Sequence, residues 1–148
     1  MKCLRSLFLI VDFGFIAYWT ATALHLIPAQ YLYQDYTNEL VVAWNWSFAP
    51  LDIAVSITGL LSLYFWRRAD PRFSPLALIS LCLTTASGFQ AISYWAFRRD
   101  FDPLWWTPNL FLLIYPWFFI VPLITKEKRP NKALVPTPAS VTPAAGQP

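Results

Sequence analysis

Charge is what this chain has least of. Asp, Glu, Lys and Arg make up 13% of its 148 residues and hydrophobic residues 57%, against about 25% charged and about 45–50% apolar in a soluble domain. A surface that water would solvate cannot be built from that balance. Glycine is nearly absent, at positions 14, 59, 88 and 146 only, which excludes a glycine-rich phosphate loop. The single histidine, His25, has no Ser or Cys beside it, and no His/Cys/Asp/Glu cluster has metal-ligand spacing. No local catalytic pair, metal or cofactor is therefore expected. The two cysteines, Cys3 and Cys82, would stand about 20 Å or more apart along helices, too far for a disulfide.

What the chain has instead is four long apolar blocks, 7–27, 40–66, 75–97 and 105–124. Each reaches the roughly 20 residues that a helix needs to cross about 30 Å of hydrocarbon. Tyrosines and Cys82 aside, the last three blocks hold a single ionisable side chain, Asp52. A transmembrane barrel would need alternating segments, and residues 110–119 do not alternate. The blocks predict an all-α membrane protein: an antiparallel bundle of four transmembrane helices over about 6–27, 40–66, 75–97 and 106–125, forming one domain, 1–125. From 126 to 148 the chain carries five prolines and no aromatic residue, the pattern of a disordered Pro/Ala-rich tail. Its basic start can lie against anionic headgroups.

Lys and Arg set the direction of threading. Lys2 and Arg5 precede the first block, Arg67, Arg68 and Arg72 follow the second, and Lys126, Lys128, Arg129 and Lys132 follow the fourth. The first loop carries Asp35 and Glu39 but no basic residue, and the third sets Arg98 and Arg99 against Asp100 and Asp102. Both termini are expected in the cytoplasm, with the protein multi-pass in the cytoplasmic membrane. Basic flanks serve insertion, so the net charge of +3 points to no nucleic acid. Lys2, Arg5 and Ala21-Thr22-Ala23 also fit a cleavable signal peptide. Asp12 within the apolar core, and apolar sequence continuing through Ile27, argue against that.

Two stretches share a pattern. "WNWSFAPLD" (44–52) and "WWTPN" (105–109) each place a tryptophan pair, a Ser or Thr, a proline and a short polar side chain at the start of a descending helix. Tryptophan favours the headgroup level, proline the first helical turn, and Thr107 is a candidate N-cap for Pro108. Asp52 then has two readings. In a helix starting at Pro50 it is the third residue, near the positive end of the dipole. In one helix over 40–66, kinked at Pro50, it lies about 16–18 Å below the outer end, where a charge usually marks a site. In that second case Asn45, Asp52, Ser56 and Gly59 share a face.

Further polar side chains fall at a similar level. His25 closes the first helix, Asn109 opens the fourth, and the third carries Ser80, Ser87, Gln90, Ser93 and Tyr94 within roughly 120° of one another. His25, Asn45, Asp52, Gln90, Tyr94 and Asn109 are thus candidates for an outward-facing polar pocket, against the plainer alternative of interhelical hydrogen bonds. Asp12 stands apart towards the inner side. It either snorkels or pairs with Arg67 or Arg68, or serves a proton or ion step. Gly14, Ala17 and Ala21, with Thr84, Gly88 and Ala91, offer small stripes for close packing. The sequon at Asn45-Trp46-Ser47 is discounted because its tryptophans hold it at the membrane surface.

"TNELVVAWNWSFAPLDIAVSITGLLSLY" (37–64) and "DFDPLWWTPNLFLLIYPWFF" (100–119) resemble the YvaD-like family of small bacterial membrane proteins, over roughly residues 8–124. The resemblance implies four spans in a bacterial cytoplasmic membrane and brings no activity, cofactor or site residue. The expected function is binding of a small molecule, lipid or partner protein through the outer half. The alternatives are a small transporter subunit acting as a homo-oligomer, or a membrane-embedded isomerase or hydrolase using Asp52 and His25.

Overall fold

A computed structural model describes residues 2–127, so the expected tail lies, from residue 128 on, outside the described residues. Every regular element among them is helical: α1 (Lys2–Ala23), a 3-10 turn (Ala29–Tyr31), α2 (Glu39–Trp46), α3 (Phe48–Arg67), α4 (Phe73–Phe97), α5 (Pro103–Ile114) and α6 (Trp117–Glu127). They form four candidate membrane spans, Cys3–Ala23, Glu39–Arg67, Phe73–Phe97 and Pro103–Thr125.

Proline decides where two of the spans break. Pro50 has no N–H to offer the carbonyl of Trp46. The second span therefore interrupts at Ser47, whose hydroxyl donates to the Trp44 carbonyl at 2.6 Å, and restarts at Phe48. Pro50 is then the third residue of α3 and Asp52 the fifth, so the helix neither begins at Pro50 nor runs unbroken from 40. Pro116 likewise has no N–H for Leu112, and α5 gives way to α6 there. The fourth span starts earlier than expected. Asp102, not Thr107, is its N-cap, accepting the Leu104 N–H at 3.0 Å with Pro103 in the first turn, and Pro108 lies inside the helix.

The first helix also ends early, at Ala23 rather than 27. His25 takes a left-handed conformation with φ 54°; its N–H donates to the Thr22 carbonyl and that of Leu26 to Ala21. That pair of bonds is the Schellman ending, which normally uses glycine. Ala69 and Arg99 repeat it after α3 and α4, at φ 52° and 56°. A chain with so little glycine turns its corners on side-chain-bearing residues.

The spans alternate in direction. Leu4 and Phe8 of α1 share one cluster with Leu63, Ala77, Tyr115 and Ile120, while Trp19, Phe48 and Ala91 cluster at the opposite end. α3 packs between α1 and α4, and α4 between α3 and the α5–α6 span. Gly88 permits the closest approach, since a Cβ there would stand 2.7 Å from the Asn109 carbonyl oxygen. Thr84, Gly88 and Ala91 are buried, whereas Gly14 and Ala17 face outward. Of the small stripe of the first helix, only Ala21 is even half-buried among the described residues.

The distribution of polarity is inverted relative to a soluble protein. Ile10, Phe13, Ile57, Ile79, Phe89 and Phe118 are exposed, while Asp12, Asn45, Asp52, Ser56, Ser80, Thr84 and Ser87 are buried. Water would penalise such a surface, but lipid welcomes it and drives polar side chains inward to find partners. This is a multi-pass membrane protein. At the end holding the N-terminus, Arg5, Arg68 and Arg72 lie over the rings of Trp66, Tyr64 and Phe65, cationic heads anchored on an aromatic rim.

Candidate functional site

Asp52 is the hub of the half of the bundle away from the N-terminus. It is 4% exposed and ties three helices together. Its Oδ2 accepts the indole N–H of Trp19 from α1 at 2.9 Å, and its Oδ1 the hydroxyl of Ser87 from α4 at 2.7 Å. Neither bond comes from its own helix start, so its partners are those of a cross-link between spans. One turn below, the Ser56 hydroxyl lies 3.0 Å from the Asp52 carbonyl and 3.1 Å from that of Asp12.

Above this hub lies a cavity of about 600 Å³. Asn45, Asp52 and Ser87 supply its polar floor, Phe15, Tyr18 and Trp105 part of its walls, and residues 30–36 of the first loop its cover. Asn45 is 2% exposed, and its side-chain amide lies against the Tyr18 hydroxyl. That burial also closes the sequon to modification. The loop is held at two points. Tyr33 is buried in a cluster with Val41 and Trp95, and Asp35 pairs with Arg98 at 3.0 Å. Burial raises the Tyr33 hydroxyl above its ordinary pKa, so it remains a neutral phenol at the mouth.

The tryptophans form a packed collar. Trp44 stacks on Tyr94 with ring centroids 4.0 Å apart and meets Phe48, Trp95 and Trp105 edge-on or tilted. Trp44 joins the ends of three of the four spans on the side away from the N-terminus, because α2 continues beyond the break at Ser47 and brings its rings against α4 and α5.

Of the six residues expected to converge, Asn45, Asp52 and Asn109 line the cavity. Asn109 donates its side-chain amide to the Trp105 carbonyl at 2.8 Å. Tyr94 belongs to the collar instead. His25 and Gln90 stand elsewhere and are exposed. His25 is carried out of the bundle by the left-handed turn, which separates it from Asp52. Gln90 misses because the inward stripe of α4 runs through Ser80, Thr84, Ser87, Ala91 and Trp95, and Gln90 sits about 100° round from Ala91. Trp19, 33 positions from Asp52, carried no local sign of its role. Nor did the covering loop, which reads simply as polar and aromatic.

Asp12 is neither snorkelled nor paired with an arginine. It is fully buried, and neither carboxylate oxygen has a hydrogen-bond partner among the described residues. It faces Gly59, where an added Cβ would collide with the carboxylate. Counting along α1 from Cys3, it lies about 14 Å into the span, close to mid-depth. The hydroxyl of Tyr115, also buried, meets the Thr84 side chain of α4.

The family of unknown function DUF5360 matches residues 4–130. The chain belongs to that family. It is 48% identical over 132 residues, 89% of its own length and 98% of the relative's, to the uncharacterized protein YvaD of Bacillus subtilis (strain 168). No solved structure matches the chain. Membership of DUF5360 agrees with the sequence resemblance and assigns no activity. The site above must be read from its own chemistry.

Proposed function

We propose that this DUF5360 protein is a ligand-binding protein of the bacterial cytoplasmic membrane, with both termini inside, which takes a small molecule into the outer cavity. The observation that carries the reading is the 600 Å³ cavity with Asp52 in its floor and the Asn45 amide beside it. Pockets for small molecules run from about 300 to 1,000 Å³, mostly apolar with a few convergent polar groups, and this one has that make-up. A purely structural cross-link would need Asp52 and its two donors but no space above them.

Mass spectrometry of small molecules that co-purify in mild detergent tests the reading. A compound retained by the wild-type chain and lost from folded Asp52→Asn supports it. A wild-type preparation free of any retained compound, and unchanged in stability across a compound library, removes it. Reporter fusions at Tyr33 and Ala69 test the threading, with the first expected outside and the second inside.

Asp12 favours a second reading. A buried mid-depth carboxylate about one helical turn from the cavity floor is the arrangement a proton- or ion-coupled carrier would use, with a second copy enlarging the path that four spans alone leave narrow. Flux in reconstituted vesicles that disappears in Asp12→Asn would favour transport over binding alone.

A further inference from the structure

The electrostatics of the cavity select the charge of its ligand. We infer that the site takes a lipophilic organic cation, an ammonium carrying an aromatic or aliphatic body and a hydrogen-bond acceptor. This rests on the cavity being a binding site. Three carboxylates line it, Asp35, Asp52 and Asp102, and none of the described lining residues is Lys, Arg or His. Two of the three are already engaged. Asp35 pairs with Arg98, and Asp102 caps α5. Asp52 receives only neutral donors, the Trp19 indole and the Ser87 hydroxyl. Ionised, it is a buried charge supplied with hydrogen bonds and lacking a counter-charge, which is costly anywhere and more so in a bilayer. A cation entering from above supplies what the protein omits. An anion would meet the unpaired Asp52 carboxylate, with Arg98, the nearby base, already tied to Asp35.

The walls point the same way. Tyr18, Tyr31, Tyr33, Tyr36 and Trp105 border the space, and the electron-rich faces of such rings attract ammonium groups, most strongly where water is scarce. The volume is far larger than a bare metal ion needs, and both Asp52 oxygens already hold donors, so the charge should arrive on an organic body that fills the space. The Asn45 amide, buried beside the floor next to the Tyr18 hydroxyl, carries two N–H donors, and the second can meet an oxygen on that body.

Two probes separate charge from shape. Choline phenyl ether carries a trimethylammonium, an ether oxygen and a ring, and 3,3-dimethylbutyl phenyl ether replaces its nitrogen with carbon. Binding of each to the full chain in phosphatidylcholine nanodiscs, read by equilibrium dialysis against empty nanodiscs, should favour the ammonium at least tenfold. Asp52→Asn should reduce that preference to within about threefold. The isostere comparison uses wild-type protein and so stands even if the variant does not fold. Equal saturable binding of both probes would overturn the cation inference and leave the cavity's binding role intact. Saturable binding of neither would remove both. An unaltered preference in folded Asp52→Asn would overturn Asp52 as the counter-charge.

Discussion

Replacing Gly59 by alanine tests the most unusual contact in the bundle. A Cβ at this position would collide with the carboxylate of Asp12, approaching its Cγ to 2.8 Å, and Asp12 is fully buried, so the carboxylate has little room to retreat. Inserting a methyl group into a filled interior typically costs about 1–3 kcal/mol, whereas Gly→Ala within a helix returns about 0.5–1 kcal/mol. The net loss should be about 1–2 kcal/mol. In an Asp12→Ala background the obstruction is gone and the same change should be neutral or stabilising by up to about 1 kcal/mol. The coupling between the two sites is therefore about 1–3 kcal/mol, within the range contacting residues show. Reversible unfolding in mixed detergent–SDS micelles, applied to the four corners of this cycle, measures it. Gly14, with nothing among the described residues within 4 Å, is the control and should accept alanine without loss. Gly88 is the contrast. Its obstruction is the backbone of α5 at Asn109 and Leu113, so Gly88→Ala should cost at least as much as Gly59→Ala and gain no relief from Asp12→Ala. If Gly59→Ala and Asp12→Ala add to within about 0.5 kcal/mol, Asp12 does not face Gly59 and the placement of the mid-depth carboxylate is wrong.

Trp19→Phe keeps an aromatic six-membered ring but removes the pyrrole part of the indole with the N–H that Asp52 accepts; it should cost at least about 1–2 kcal/mol in the same unfolding assay, and a loss under about 0.3 kcal/mol would mean the bond contributes little. His25→Gly and Ala69→Gly relieve left-handed backbone at φ 54° and 52° and should each stabilise by up to about 1 kcal/mol, visible as a raised thermal midpoint. Arg98→Ala cuts the tie to Asp35; because the pair is exposed, global stability should fall by less than about 1 kcal/mol, while amides of residues 30–36 should exchange faster than in wild type. High salt should narrow that difference, and unchanged exchange would show that Tyr33 alone holds the cover.

Much of this protein was legible before any fold was known. Bilayer thickness and the helical rise convert block length directly into spans, so four helices follow from composition with no tertiary information. The shared face of Asp52, Ser56 and Gly59 was equally accessible, because spacings of four and three repeat on any helix, and all three are buried; Asn45, across the break at Ser47, is buried too but on a separate helix. Helix ends were less accessible. They depend on competition between local signals: Asp102 outbids Thr107 as a cap, and the break next to Pro50 falls at Ser47 rather than at the proline itself.

The tertiary structure decided partnership. Rotation of one helix about its axis against its neighbours turned Gln90 outward and Ser87 inward, and a left-handed turn at one residue took His25 out of the bundle. The same packing gave Asp52 a donor from α1 and another from α4 and left Asp12 with none. Periodicity tells which residues of a helix lie together; which neighbour they meet depends on helix rotation, depth and crossing, quantities set jointly by all four spans. Sequence alone therefore established that this chain lives in lipid and crosses it four times. Only the assembled bundle, by enclosing a space beside one carboxylate and sealing another, determined where chemistry could occur.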